Sequence, residues 1–542
     1  MEVWLVFKLY ISEYSPYFPL VFAFSLFLLG CFYFQTSKKE KLTVRKDDII
    51  DIAIVISFSL FFFLINVWNL NSWYYTSIGD EYAFWDLAKL IAKGRQFNLF
   101  SKDGVYNSIP VASSFYQASI MKLVGINYMG WKISSIVIVC LSFFPFYFLV
   151  KNLYTRLTAL VAIAILSFSH YLWGYVHTGY SNIEVLFPFS FCLFYGFRAI
   201  AKKSALLFFI AGAFAGIGFY TFYSSRLTIV FLFLLIFLNR KYIPLRLSLP
   251  PSTIGFLVFF LPMLAVSKTR IITAMLERAL MDSYKQPGAP PFIQQFISKT
   301  ISSFASFFYN AKEGPYVTGS LLDPVSGFFL LIGLILIIAN IKKYPNNFLF
   351  LVYIISTIAT GGLSHYANVG VSRLNFLLPL VSMFSAVGIV KVTQVRMLKA
   401  LKNFLIPVIL ALVLFLNLYR FNIETPRRFP ASREAVTIKT TLLPVCQAKK
   451  NPPIIFERNP GGSPLFAALD SLKFSISPLL ISYQDFISQK EHLSKKDACF
   501  IFVHWEDEQA QQIVYELKSK YSSLIIQNEY DYTKNSPVLF LY

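Results

Sequence analysis

The chain has 542 residues, of which 56% are hydrophobic, 18% aromatic and only 14% charged. About a quarter of the residues in a soluble domain are charged, so this composition excludes an ordinary soluble protein and describes a polytopic α-helical membrane protein. The net charge of +21 does not point to nucleic acid, because most Lys and Arg lie in short loops between apolar runs, which is the positive-inside pattern of membrane proteins.

The N-terminus, MEVWLVFKLY, has neither a basic n-region nor a small-residue cleavage site, so no removable signal peptide is expected. Apolar runs then recur at about 18–35, 51–70, 131–150, 157–173, 183–199, 204–222, 226–239, 252–267, 323–340, 348–362, 373–390 and 403–420. A span needs about 20 apolar residues, and these runs predict about 11–13 transmembrane helices. The loop after the first run holds Lys38, Lys39, Lys41, Arg45 and Lys46, and five later loops on the same side are also basic. The short loops on the opposite side hold only Arg226 and Arg373. The basic side is therefore expected to be cytoplasmic, and the long loops at about 71–130 and 268–322 are expected outside, with everything after about Phe421. The protein is expected in the cell (inner or plasma) membrane.

The first long loop opens with YYTSIGDEYAFWDLAKLIAKG (74–94). Its adjacent acids, Asp80 and Glu81, sit where an apolar run leaves the membrane, and carboxylates near lipid mark a functional site. The alternative is an interfacial helix whose acidic first turn complements the helix dipole. Phe84, Trp85, Leu87 and Leu90 suit a helix along the bilayer surface. Lys102 and Asp103 follow as candidates for an outer groove or a solvated loop.

Further along, His170 and His177 lack a second ligand at metal spacing and read as packing or interfacial residues. Glu184 reads as a helix first-turn acid, with an acceptor contact as the alternative. Tyr220, Phe222 and Tyr223 read as interfacial aromatics or sugar-stacking residues. Arg226 and Arg373 each stand at an outer helix mouth. They either snorkel to headgroups or bind an anion, and the planar guanidinium fork suits phosphate. Asp323-Pro324 reads as an N-cap followed by Pro at the first helical position. Cys31, Cys140 and Cys192 lie in apolar runs as packing residues. No Cys or His spacing indicates a metal site, so no cofactor is indicated and a divalent metal stays open.

The tail, about 421–542, carries charges and turn residues such as Asn459-Pro460-Gly461-Gly462. ACFIFVHW (498–505) reads as a strand, EDEQAQQIVYELKSKY (506–521) as a helix, and SLIIQNEY and SPVLFLY as strands. A small C-terminal soluble α/β domain is expected. His504 reads as structural. Cys446 and Cys499 are the tail's only cysteines, and spacing alone leaves both a disulfide and two free thiols open.

Together these features suit an enzyme that uses a lipid phosphate as leaving group, with arginines holding the phosphate and a carboxylate taking a proton from an attacking hydroxyl. The order of motifs resembles the family 39 glycosyltransferases, which include protein O-mannosyltransferases and the bacterial lipid A aminoarabinose transferase. The resembling segments are GDEYAFWDLAKLIAKG, YTFYSSRL, LLDPVSGFFLLIGLI and SRLNFLLPL, spread across about 51–420. The resemblance implies a GT-C fold and transfer of a sugar, with inversion, from a polyprenyl-phosphate donor to an extracytoplasmic acceptor. It implies Asp80 as the base, with Glu81 beside it. Arg226 then lies near the donor phosphate, with Arg373 a looser match. The chain lacks the repeats that eukaryotic members carry between their helices, so lipid, glycan and protein all stay open as acceptor. The implied division is an N-terminal extension with its basic loop (1–50), a catalytic transmembrane domain (51–420) and an extracytoplasmic α/β domain (421–542). A transporter or flippase for lipid-linked sugars and an O-antigen-ligase-like enzyme are the alternatives.

The charge asymmetry makes a direct prediction about sidedness. Single cysteines placed in loop 71–130 should react with a membrane-impermeant thiol reagent in intact cells, and cysteines in loop 36–47 should not. The reverse pattern would move the acid pair to the cytoplasm.

Overall fold

The computed structural model describes residues 18–35, 46–68, 70, 79–101, 104–105, 109–267, 290–309, 319–343, 345–363, 371–395 and 401–425, and tail segments 453–457, 479–482, 499–503, 508–520, 526–530 and 537–541. Lys102, Asp103 and Cys446 lie outside the described residues.

Helices α1 (Phe18–Phe34) and α2 (Lys46–Val67) are followed by two amphipathic helices, α3 (Gly79–Ala92) and α4 (Val111–Val124). The chain then shuttles through α5 (Tyr128–Leu153), α6 (Arg156–Phe168), α7 (His170–Thr178), α8 (Leu186–Lys202), α9 (Ala205–Ile217), α10 (Leu227–Leu238) and α11 (Leu245–Ser267). After α12 (Phe292–Ala305) come α13 (Pro324–Ala339), α14 (Asn346–Thr357), α15 (Leu378–Thr393) and α16 (Lys402–Tyr419). Six helices among the described residues are long and apolar enough to cross a membrane. The pair α6 and α7, bent by 49°, meets the same length and composition test together, as one broken span or a re-entrant segment, and five shorter apolar helices accompany them. This is a multi-pass membrane protein, and its helices fall where the apolar runs predict. Helix α12, inside the second long loop, is an addition that the run lengths did not reveal.

The helices are apolar on both sides, with different partners on each. Inward residues of α2, α5 to α8, α10 and α13 to α16 form one large core. Outward rows such as Ile56, Leu60 and Leu64 of α2, or Phe404, Val408, Leu412 and Phe415 of α16, remain exposed. Contiguous apolar stripes of this kind are stable against lipid and not against water. Small residues set the closest contacts. A Cβ on Gly255 of α11 would strike the Phe209 carbonyl of α9, and one on Gly333 of α13 would strike the Phe384 carbonyl of α15. Lipid gives no hydrophobic drive for helix association, so close backbone approach has to supply the packing energy. Helix α1 packs on this bundle through Phe27, whose ring stacks on Phe209 at 5.6 Å.

At the basic end a buried carboxylate ties three helices together. Asp51 of α2 accepts hydrogen bonds from the Tyr147 hydroxyl (2.6 Å) and Arg156 Nε (2.6 Å), and it is ion-paired with Lys151. Thr155 and Ser204 cap α6 and α9 at the same end, each accepting a backbone N–H three residues on.

The tail forms a five-stranded sheet in the order β2-β1-β3-β5-β4. Its strands are β1 (Pro453–Glu457), β2 (Leu479–Ser482), β3 (Cys499–Val503), β4 (Ile526–Tyr530) and β5 (Pro537–Leu541). Strand β1 pairs in parallel with β2 and β3, and β5 runs antiparallel to β3 and β4. Helix α17 (Glu508–Lys520) links β3 to β4 and buries Ala510, Ile513 and Leu517. The α/β tail read from the sequence is present, strand for strand over its last part.

The Asp51 knot yields a stability prediction. Asp51→Ala should destabilise the protein toward the lower end of the roughly 3–5 kcal/mol typical of a broken buried ion pair, since both cations are partly exposed and find water. Asp51→Glu should recover part of the loss. Unchanged thermal unfolding in detergent for Asp51→Ala would show that the three helices hold without it.

Candidate active site at the acid-pair end of the bundle

The end opposite the basic loops is built from broken helices. Six 3₁₀ and π runs among the described residues lie there: Ser181–Val185, Gly218–Tyr220, Tyr223–Arg226, Ile358–Gly362, Val371–Leu377 and Arg420–Glu424. Such runs turn backbone groups out of the α-helical ladder and are frequent at functional sites. At membrane depth they are tolerated where protein or a cavity surrounds them.

Asp80 and Glu81 lie in the first turn of α3. One turn on, Phe84 and Trp85 are fully buried, and Ala88 and Ile91 continue the stripe. This stripe packs on Val111, Ala118 and Met121 of α4 and on Tyr128 and Trp131 of α5. The Phe84 ring lies 4.7 Å from Tyr180, and the Trp85 edge meets Tyr128 at 6.2 Å. The expectation that this face lies along the bilayer is therefore corrected: Phe84 and Trp85 face protein, because α4 and the start of α5 form a complementary apolar surface.

Glu184 sits in the 3₁₀ run Ser181–Val185 and is buried. Its Oε1 accepts from Ser113 Oγ (2.8 Å) and Gln117 Nε2 (2.9 Å), both on α4. Gln117 Oε1 in turn accepts from Trp131 Nε1 (2.9 Å). The carboxylate thus fastens α4, and with it α3, onto the bundle. In the same run Asn182 Nδ2 donates to the Ser372 carbonyl (3.1 Å), joining it to the run that carries Arg373.

Arg226 closes the 3₁₀ run Tyr223–Arg226 and is 8% exposed. Its guanidinium carbon lies 4.8 Å from the Tyr223 ring and 5.8 Å from the Phe219 ring. Its Nε hydrogen meets no acceptor among the described residues. The turn beneath it is fixed by Ser225 Oγ, which has the Gly218 and Phe222 carbonyls as acceptors within reach of its one proton and lies 2.6 Å from Thr221 Oγ1. Tyr223 therefore serves as a wall for the Arg226 cation, half-buried beside it. The runs carrying Arg226 and Arg373 pack against each other, so the two arginines stand on neighbouring elements.

Two cations that the sequence reading did not single out lie at this end. Lys132 of α5 is buried with its ammonium 4.5 Å from the Tyr128 ring centroid. Lys299 of α12 is 5% exposed; burial and, after it, the neighbouring Arg373 charge hold its ammonium below the usual lysine range. The helical recurrence of Phe292, Phe296, Thr300 and Phe304 was the signal that could have located α12. His170 is buried as well: its Nδ1 and backbone N both lie within hydrogen-bond reach of Asn417 Oδ1 (2.6 and 2.9 Å). Asn417 donates to Asp323 Oδ2 (3.0 Å), and Asp323 caps α13 through the Ser326 N–H (2.9 Å), as the sequence expects. Among the described residues no three His, Cys, Asp or Glu side chains gather at metal-binding distance.

Comparison with solved structures decides the fold. ArnT from Cupriavidus metallidurans, in the apo state, superposes with a TM-score of 0.53 over 90% of this chain and 97% of that one, at 10% sequence identity. The same protein bound to undecaprenyl phosphate gives 0.52 over the same shares, also at 10% identity. This chain has the GT-C fold. The archaeal oligosaccharyltransferase AglB from Archaeoglobus fulgidus, in complex with an inhibitory peptide and a dolichol-phosphate, gives a TM-score of 0.46 at 11% identity, covering 84% of this chain and 69% of that one. No curated protein matches by sequence. Residues 108–265 match the family described as dolichyl-phosphate-mannose-protein mannosyltransferase. The matched stretch runs from α4 through Glu184 and Arg226 to α11. With that match, the GT-C chain is a membrane glycosyltransferase.

The α4 fastening is testable apart from catalysis. Glu184→Ala leaves Ser113 and Gln117 without their acceptor and should cost about 1–3 kcal/mol for each group left unsatisfied. Glu184→Gln keeps an acceptor oxygen and should unfold close to wild type. Proteolysis across 93–110 should quicken in the alanine variant only. Equal melting and equal cleavage in both variants would remove Glu184 from this role.

Proposed function

We propose that this enzyme moves a sugar from a polyprenyl-phosphate carrier to an acceptor hydroxyl on the extracytoplasmic side of the cell membrane. The observation that carries the proposal is the shared placement of the acid-pair helix and the two arginine-bearing 3₁₀ runs at one end of a GT-C bundle. The fold neighbour ArnT binds undecaprenyl phosphate, and the family match covers Arg226. Both favour a glycosyltransferase over a transporter, flippase or O-antigen-ligase-like protein.

In this reading Asp80 takes the proton from the acceptor hydroxyl as its oxygen attacks the anomeric carbon. The bond from that carbon to the phosphate oxygen breaks on the opposite face, and the configuration inverts. The carrier phosphate leaves with its extra negative charge, and Arg226 and Arg373 stabilise that charge as it forms. Burial makes Arg226 effective, since charges interact more strongly away from water. Glu81, adjacent in the helix and about 100° around it, orients the acceptor and does not share the proton. Glu184 holds the α3–α4 pair in place, and Tyr223 flanks the Arg226 guanidinium that receives the phosphate. The domain division at 50 and 420 assigns chemistry to the middle segment, and the α/β tail stands on the acceptor side.

Two substitutions test the core of this mechanism. Asp80→Asn should keep the fold and lower turnover by roughly 10²–10⁴-fold. Arg226→Lys should remain impaired, because a point charge does not replace a two-pronged fork. Sugar transfer from a polyprenyl-phosphate donor, followed with purified enzyme, is the measurement. Near-normal turnover of Asp80→Asn, or normal donor binding by Arg226→Ala together with Arg373→Ala, would sink the assignment.

A further inference from the structure

The 3₁₀ run Val371–Leu377 is anchored by two kinds of contact. Leu374, Phe376 and Leu377 are fully buried, and the Phe376 ring lies 4.4 Å from Phe189 and 5.8 Å from Phe231. Beside this apolar anchor, two asparagine side chains converge on one backbone oxygen. Asn182 Nδ2 donates to the Ser372 carbonyl at 3.1 Å, and Asn375 Nδ2 donates to the same carbonyl at 3.3 Å. A carbonyl oxygen has two lone pairs and can accept both. This carbonyl belongs to the planar peptide that joins Ser372 to Arg373. The two amides therefore fix the plane from which the Arg373 side chain departs.

Packing alone does not call for asparagine at these positions. Both side chains are fully buried, and Asn182 Oδ1 and Asn375 Oδ1 each meet no donor among the described residues. A buried amide oxygen without a donor is unfavourable, and a leucine of similar volume avoids it. What asparagine supplies and leucine does not is the N–H aimed at Ser372. The two amides come from separate parts of the chain: Asn375 lies three residues on in the same run, and Asn182 lies 190 residues earlier. Asn182 shares the run Ser181–Val185 with Glu184, whose carboxylate is fastened to Ser113 and Gln117 of α4. One short run thus joins the α3–α4 pair to the Arg373 peptide.

We infer that Asn182 and Asn375 are positioning residues: their amides clasp the Ser372 carbonyl and so set where the Arg373 guanidinium stands relative to the acid-pair helix. The inference rests on the donor reading above, in which Arg373 receives the carrier phosphate. A guanidinium fork binds phosphate well when two of its N–H groups meet two oxygens in parallel. A misplacement of about 1 Å, even from a change far from the chemistry, can cost about a hundredfold in rate. In that reading the base and the leaving phosphate act on opposite faces of the reacting carbon. The separation between α3 and Arg373 must then match the sugar between them, and the run Ser181–Val185 holds that separation.

Binding of undecaprenyl phosphate to the full-length enzyme in detergent tests the clasp, with single and double variants. Asn182→Leu and Asn375→Leu keep the volume and should unfold close to wild type, while each weakens binding by roughly three- to tenfold, the range of one net hydrogen bond. Arg373→Ala should weaken binding at least as much. In the Arg373→Ala background either leucine should add no further loss, because residues that act through one group are not additive. A packing role alone would weaken binding equally with and without Arg373. Additive losses in the double variants would therefore overturn the clasp and leave the donor reading standing. Normal binding by a folded leucine variant, with weak binding by Arg373→Ala, would do the same. Normal binding by Arg373→Ala would overturn the donor role of Arg373 and the clasp's part in it together. The two leucine variants are independent, so one that fails to fold leaves the other to decide.

Discussion

Hydrocarbon offers no hydrogen bonds, so every polar group taken into this bundle needs a partner inside the protein. That constraint explains both ends of the molecule. At the basic end, Asp51 draws Tyr147, Lys151 and Arg156 around itself and joins α2, α5 and α6. At the other end, Glu184 joins α8 to α4, and the chain from Asp323 through Asn417 to His170 joins α13, α16 and α7. Each link spans many residues of sequence, 71 in the case of Ser113 and Glu184. Apolar packing alone would leave these helices free to slide, because lipid solvates a leucine as well as a neighbouring helix does.

The two ends resolve the constraint differently. The basic end uses ordinary α-helices with serine and threonine caps. The acid-pair end breaks its helices into 3₁₀ and π runs and a 49° bend, each of which frees backbone groups and re-aims side chains. Such breaks cost stability, and they are concentrated at the end that holds Glu184 and Arg226. The side chains of that end follow the same logic: the Tyr223 and Phe219 rings accept the Arg226 charge on their faces, and the Arg226 Nε hydrogen meets no acceptor among the described residues.

Much of this was legible in the sequence, for reasons that the residues make plain. Apolar runs near span length name the helices directly, and Asp323-Pro324 announces a helix start through local chemistry that needs no partner. The tail strands from Cys499 onward read correctly because their turns and alternation are local. What escaped depends on distant partners. Glu184 looks like a helix-dipole residue until α4 is laid across it. Phe84 and Trp85 look lipid-facing until Tyr128 and Tyr180 are in place. Lys299 was hidden inside a long loop because α12 has only 14 residues and mixed polarity, below what a search for spans can detect. The acid pair was found from its position after a span, and the structure adds that it opens a helix bound tightly to the bundle.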